Sequence, residues 1–235
     1  MEKTIIAIGG GELKTKETLE IDRYIAERAR AAAGERRPYG LFIPTASHDS
    51  MPYFNSFRKT YTSVFDVKAD VALTVYNEMS LERIAEKFHK ADFIYVGGGD
   101  TVFMLEHWRK TGLLQLVLDF YNSGRLVCGL SAGAICWFDK MYTDSPSAQQ
   151  NDDRYNIYDG LNLISGIISP HYNHRIVDFD EKLRYYNGVA YAVEDCAAIE
   201  IRDGKVVGSL SCGGKAYKIT ASANGLDKRL IQQEK

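Results

Sequence analysis

Three short apolar runs in this chain stop abruptly at glycine. Thr4 to Ile8 meets Gly9-Gly10-Gly11, Phe93 to Val96 meets Gly97-Gly98-Gly99, and Leu126 to Leu130 leads through Gly129 into Ser131-Ala132-Gly133. Runs this short and bounded by glycine read as strands, and the nearly all-apolar Leu126 to Leu130 reads as one in the middle of a parallel sheet. Longer segments with helical spacing separate them. Ile21, Tyr24, Ile25, Ala29 and Ala32 recur on one helical face, and Gly34 follows as a C-terminal cap. Further helices are expected over Met51 to Phe65, Leu81 to Phe88, Val102 to Arg109 and Leu113 to Tyr121, with strands over Leu41 to Pro44 and Val71 to Tyr76. Strand–helix alternation of this kind predicts an α/β fold: an open, mainly parallel sheet with helices on both faces.

The later part of the chain changes character. Ala198 to Ile201 and Val206 to Leu210 flank Asp203-Gly204, a hairpin signal, and Lys215 to Ile219 could add one more strand. This predicts an antiparallel C-terminal extension of the sheet. The polar stretch from Asp139 to Leu161 reads as a long loop over the carboxyl ends of the strands. There is no linker, repeat or low-complexity segment, so residues 1–235 are expected to form a single domain.

Composition narrows the function. The chain has 235 residues and a formal net charge of -2. That balance offers no electrostatic footprint for nucleic acid or an anionic membrane. No apolar run reaches membrane-spanning length. The start, "MEKTIIAIGG", reads as a first strand and not as a targeting leader, so a cytoplasmic location is expected. Cys128, Cys136, Cys196 and Cys212 form no C-x-x-C pair, which argues against a zinc ribbon and for free thiols, most of them buried.

Ligands of open α/β sheets bind beyond the carboxyl ends of the strands. Neither glycine triplet completes a dinucleotide fingerprint, and there is no phosphate-binding G-x-x-x-x-G-K-[ST]. The G-x-S-x-G from Gly129 to Gly133 follows a buried strand and precedes a helix, the context of a turn that exposes a nucleophile. Taken alone it is equally a tight turn built of small residues. A serine nucleophile needs a base, and His171 stands just past the apolar run of "LISGIISPHYNHR". His48, with Asp49 beside it, is a weaker candidate, and His89 and His107 belong to helical patterns. For the carboxylate that orients the base, "GVAYAVEDCAAIEI" offers Glu194 and Asp195 at a strand break, and Asp144 competes from the polar stretch. Position favours Glu194.

Together, "IIAIGGGEL", "YVGGGDT", "GLSAGA", "SPHY" and "YAVEDCAAIEI", in that order, resemble the peptidase E and cyanophycinase family of serine peptidases. The resemblance spans most of the chain. It implies a fold related to class I glutamine amidotransferases and hydrolysis of small peptides next to aspartyl residues, with no metal or organic cofactor. By matching motif, Ser131 would be the nucleophile, His171 the base and Glu194 its orienting acid. Ala132 and a glycine of the second triplet, Gly98 or Gly99, would supply the oxyanion N–H groups. Asp100 stands where peptidase E commonly has Asn, and Arg175 and Arg184 are the candidates for gripping a substrate carboxylate. The order Ser, His, acid departs from the Ser, acid, His of α/β-hydrolases. The competing readings are a non-catalytic peptide or small-molecule binder on the same fold, and an esterase.

Overall fold

The computed structural model describes residues 2–76, 79–145 and 155–233. Five parallel strands form the centre of the first sheet: β1 (Thr4–Ile8), β2 (Tyr39–Ile43), β3 (Lys68–Val71), β4 (Phe93–Val96) and β5 (Leu126–Leu130). β10 (Ala197–Arg202) and β11 (Lys205–Ser211) add the antiparallel extension beside β1, giving the order β11-β10-β1-β5-β4-β2-β3. The protein is thus the α/β fold expected, with an open, mainly parallel sheet.

Alternation along the strands builds a core on each face of this sheet. Ile5, Ala7, Leu41, Ile43, Ile94, Val96 and Val127 point one way, and Ile6, Ile8, Phe42, Phe93, Tyr95, Leu126 and Cys128 the other. Successive side chains of a strand leave opposite faces, so a fully buried strand must be apolar throughout. Helices α1 (Leu19–Ala33) and α2 (Met51–Phe65) cover the second set through Ile21, Ile25, Ala29, Phe54, Phe57 and Tyr61. Helices α3 (Leu81–Lys90), α4 (Thr101–Thr111) and α5 (Leu113–Asn122) cover the first through Ile84, Phe88, Met104, Trp108, Val117 and Phe120. Gly34 ends α1 at φ 66°, a left-handed value that glycine adopts without a Cβ penalty.

A second sheet was not anticipated. Six strands run in the order β13-β12-β9-β8-β6-β7, with β6 at Phe138–Thr143, β7 at Asn156–Asp159, β8 at Ile164–Ser169, β9 at Gly188–Val193, β12 at Ala216–Ser222 and β13 at Gly225–Leu230. Two expectations are corrected. The polar stretch from Asp139 contains β6 and β7, paired antiparallel from Lys140↔Asp159 to Thr143↔Asn156, while residues 146–154 of the expected loop lie outside the described residues. The segment at Lys215 does not extend the first sheet, because β12 pairs with β9 instead. The reason is long-range pairing. Half-exposed strands such as "NIYD" carry a weak apolar pattern, and only their partners identify them. Phe138, Met141, Ile164, Ile168 and Val193 of the second sheet join the core cluster of the first, so the two sheets share apolar packing. Helix α7 (Tyr172–Leu183) covers the far face of the second sheet through Tyr172, Phe179 and Leu183.

Candidate active site

The carboxyl ends of β1, β5, β8 and β9 converge, and the end of β1 ties the others together. The Ser131 N–H donates to the Ile8 carbonyl at 2.9 Å, the His171 N–H to the Gly9 carbonyl at 3.1 Å, and the Cys196 N–H to the Gly10 carbonyl at 3.0 Å. The first glycine triplet is therefore the floor on which serine, histidine and acid are mounted. Gly10 has no room for a side chain. A β-carbon there would lie 1.9 Å from Asp195 Oδ1 and 2.3 Å from His171 Nδ1.

Ser131 stands between β5 and the short helix α6 (Ala132–Ile135) at φ 51° and ψ -108°. A positive φ at a non-glycine residue costs of order 1–3 kcal/mol and persists only where its surroundings enforce it. Here the flanking glycines allow the turn to close, since a β-carbon on Gly129 would lie 2.0 Å from the Gly133 carbonyl oxygen. The sharp turn lifts the Ser131 hydroxyl clear of the sheet end. Its Oγ lies 2.9 Å from His171 Nε2.

His171, at φ 49°, caps the start of α7 directly after Pro170. Its Nδ1 lies 2.6 Å from Asp195 Oδ1. The other Asp195 oxygen, Oδ2, accepts from Asn173 Nδ2 at 3.1 Å and lies 3.0 Å from His174 Nε2, while the Asp195 N–H donates to Asn173 Oδ1 at 2.9 Å. Burial pushes the Asp195 carboxyl up, but the hydrogen bonds from His171 and Asn173 outweigh it and hold the group below its ordinary value. A carboxylate only accepts, so Nδ1 carries the proton and Nε2 is left as the acceptor for Ser131. Burial lowers His171 below the ordinary imidazole value against the opposing pull of Asp195. The ring is thereby neutral near pH 7, the state a general base requires.

The acid expected from sequence is corrected. Glu194 faces away and accepts the Lys215 N–H at 2.9 Å. Asp144 lies 3.8 Å from Arg175, and of the two acids it is Asp195 whose carboxylate stands at hydrogen-bond distance from His171. Adjacent residues leaving a strand point to opposite sides, so a one-residue error in the sequence reading turns the carboxylate from the imidazole to solvent.

Among the expected oxyanion donors, Ala132 opens α6, where a helix leaves its first N–H groups without intrahelical acceptors. The Gly98 N–H is already engaged and donates to the Tyr53 hydroxyl at 3.2 Å. Gly99 lines the same cavity. The Asp100 carboxylate caps α4, with Oδ1 accepting the Phe103 N–H at 2.9 Å. Arg175 is buried near the triad, with its guanidinium against the Tyr142 carbonyl at 3.4 Å and over the Tyr155 ring at 4.3 Å. Arg184 lies elsewhere, in a hollow with Asp180 and Ser222. The His48 ring packs at a tilt against Phe103, with centroids 4.2 Å apart, and Asp49 accepts the Thr74 and Val75 N–H groups at 2.6 Å each.

Ser131, His171 and Asp195 open into a cavity of about 520 Å³, also lined by Glu12, Lys14 and Tyr53. A slightly larger hollow of about 560 Å³, lined by Arg28, Asp92 and Arg125, lies at the opposite ends of the strands, away from Ser131 and His171. Of the four thiols, Cys128 and Cys136 are buried, whereas Cys196 and Cys212 are half-buried. Among the described residues, no helix is long and apolar enough to cross a membrane. Nor does any group of three or more His, Cys, Asp or Glu side chains stand together to hold a metal ion among them. Sequence reasoning missed Gly10, Tyr53 and Asn173. "GGG" after the first strand was the one signal available for Gly10.

An α/β sheet with a hydroxyl, an imidazole and a carboxylate in line at a strand-to-helix turn has the parts for nucleophilic acyl transfer. The comparisons agree with that class. The sequence model of Peptidase family S51 matches residues 5–208. Over 227 residues the chain is 30% identical to the uncharacterized peptidase YgaJ of Bacillus subtilis (strain 168), covering 92% of each sequence. It is 31% identical to peptidase E of Salmonella newport (strain SL254) over 146 residues, which cover 60% of this chain and 58% of that one. A solved peptidase from an acI-B1 actinobacterium shares the fold, with a TM-score of 0.74 at 17% identity over 100% of this chain and 96% of that one. The chain belongs to Peptidase family S51 and is a peptidase.

Proposed function

We propose that the protein is a serine-type peptidase that cleaves small peptides next to aspartyl residues through Ser131, His171 and Asp195. The observation that carries this reading is the unbroken line from Ser131 Oγ to His171 Nε2 at 2.9 Å and from His171 Nδ1 to Asp195 at 2.6 Å. In the proposed reaction Ser131 Oγ attacks the scissile carbonyl and His171 Nε2 takes the hydroxyl proton. The tetrahedral oxyanion forms beside the Ala132 N–H. His171 then returns its proton to the leaving amine as the C–N bond breaks, and water repeats the cycle on the acyl-enzyme. Asp195 holds the tautomer and steadies the imidazolium.

The aspartyl preference draws support from the likeness to peptidase E and from the cationic Lys14 in the cavity and Arg175 beside the triad. Glu12 and Glu17 in the same cavity suit the free amino group of a short peptide. The test is Ser131→Ala assayed on a set of α- and β-aspartyl dipeptides. We expect turnover to fall by roughly 10⁴-fold or more, with the fold retained. Undiminished turnover removes Ser131 as nucleophile. Equal rates on dipeptides lacking aspartate remove the substrate class.

A further inference from the structure

The hydroxyl that holds the Gly98 N–H belongs to a residue with a firmly fixed position. Tyr53 is in the first turn of α2, where its own N–H donates to the Ser50 hydroxyl at 3.4 Å. Its ring meets Phe42 edge-on, with centroids 5.0 Å apart and planes at 76°. It also lies flush against Gly97, where a β-carbon would come within 2.9 Å of Tyr53 Cε1. Gly98 in turn abuts the nucleophile, since a β-carbon built on it would lie 3.3 Å from Ser131 Cβ. The Tyr53 hydroxyl therefore sits on the N–H of Gly98, one of the two glycines expected to serve an oxyanion.

A phenol can accept and donate at once. Its lone pair takes the Gly98 N–H at 3.2 Å, and among the described residues that is the one hydrogen bond the hydroxyl makes. Its proton is free for the cavity it shares with Ser131 and His171. Accepting a hydrogen bond polarises the O–H and strengthens it as a donor.

We propose that the Tyr53 hydroxyl is a catalytic residue that donates a hydrogen bond to the substrate oxyanion, with the Gly98 N–H behind it and the Ala132 N–H on the other side. No proton leaves Tyr53. As the Ser131 Oγ–carbon bond forms, the carbonyl π electrons move to oxygen, His171 takes the serine proton, and the phenol O–H shortens its contact to the new negative charge. Such donors matter most in the transition state, where the charge is greatest. Burial pushes the Tyr53 hydroxyl up to about 12, which keeps it protonated where His171 is neutral.

This inference rests on Ser131 being the nucleophile, and the experiment separates the two. Tyr53→Phe keeps the ring against Phe42 and Gly97 and removes only the hydroxyl. We expect kcat to fall roughly 10²-fold with KM little changed, and the affinity for a peptide aldehyde, a mimic of the tetrahedral state, to fall by the same factor. Unchanged or faster turnover in Tyr53→Phe, beside an inactive Ser131→Ala, overturns the role of Tyr53 alone. It would make the hydroxyl a mere placeholder on Gly98. An active Ser131→Ala removes the nucleophile reading instead. As a second measurement, 3,5-difluorotyrosine at position 53 keeps the hydroxyl and makes it more acidic. The alkaline limb of kcat must then move to lower pH, and an unmoved limb overturns the proposal.

Discussion

Asp195 Oδ1 lies 2.6 Å from His171 Nδ1, while its chain neighbour Glu194 accepts the Lys215 N–H at 2.9 Å on the other side of the strand end. One residue of register thus decides which carboxylate meets the imidazole. The pair sits on Gly10, and a lattice of Asn173 and His174 contacts holds the second Asp195 oxygen. The carboxylate is fixed from several directions, so the imidazole it orients has one preferred tautomer.

The first prediction separates the two acids. Asp195→Asn should lower kcat by roughly 10⁴-fold, because an amide at this position favours the wrong imidazole tautomer. Glu194→Gln keeps an acceptor for the Lys215 N–H and should leave kcat within about threefold, consistent with the small effect of most surface changes. Steady-state kinetics on both purified variants decides it. The opposite ranking would return the role to Glu194.

The second prediction concerns Gly10. In Gly10→Ala the new methyl would overlap Asp195 Oδ1 at 1.9 Å, so the His–Asp pair must move by more than an ångström. Overpacking of this kind costs about 1–3 kcal/mol of stability, and a displacement of that size costs about 10²-fold in rate. Thermal melts and kinetics on one preparation should show a folded protein with a modest loss of Tm and a large loss of kcat. Full activity would show that the glycine floor is not what sets the geometry.

The third prediction is a pH profile. In the proposed reaction neutral His171 is the active form, and burial lowers its titration below the ordinary 6.5 despite the opposing hydrogen bond from Asp195. Activity should therefore rise with pH through a midpoint below 6.5, seen as the acid limb of kcat/KM. The sign for stability follows the same shift. A folded value below the unfolded one contributes stability above the unfolded value and loses it as pH falls through the folded one. NMR titration of the His171 ring gives the midpoint directly, and a value above 6.5 contradicts the prediction.

Much of the site was legible in the sequence because local chemistry wrote it there. Ser131 was marked by small residues flanking it after an all-apolar strand, and His171 by its place just past an apolar run and Pro170. The floor under them was visible only as "GGG" without a purpose. Tyr53 carried no local signal at all, since its ring reads as one more aromatic in an aromatic-rich helix. What connects it to Ser131 is a contact with Gly97 and Gly98, more than forty positions away in the chain.

The sequence by itself determined the alternation of strands and helices, the parallel core of the first sheet, the tight Ser131 turn and the histidine beside it. These depend on side-chain period and on glycine at sharp turns, which are properties of neighbouring residues. Tertiary structure alone decided the second sheet, the choice of Asp195 over Glu194, the use of Asp100 as a helix cap and the engagement of the Gly98 N–H by Tyr53. Each of those depends on which distant backbone lies alongside and on which side of a strand end a side chain leaves. Strand pairing across the chain fixes both, and no local pattern records it.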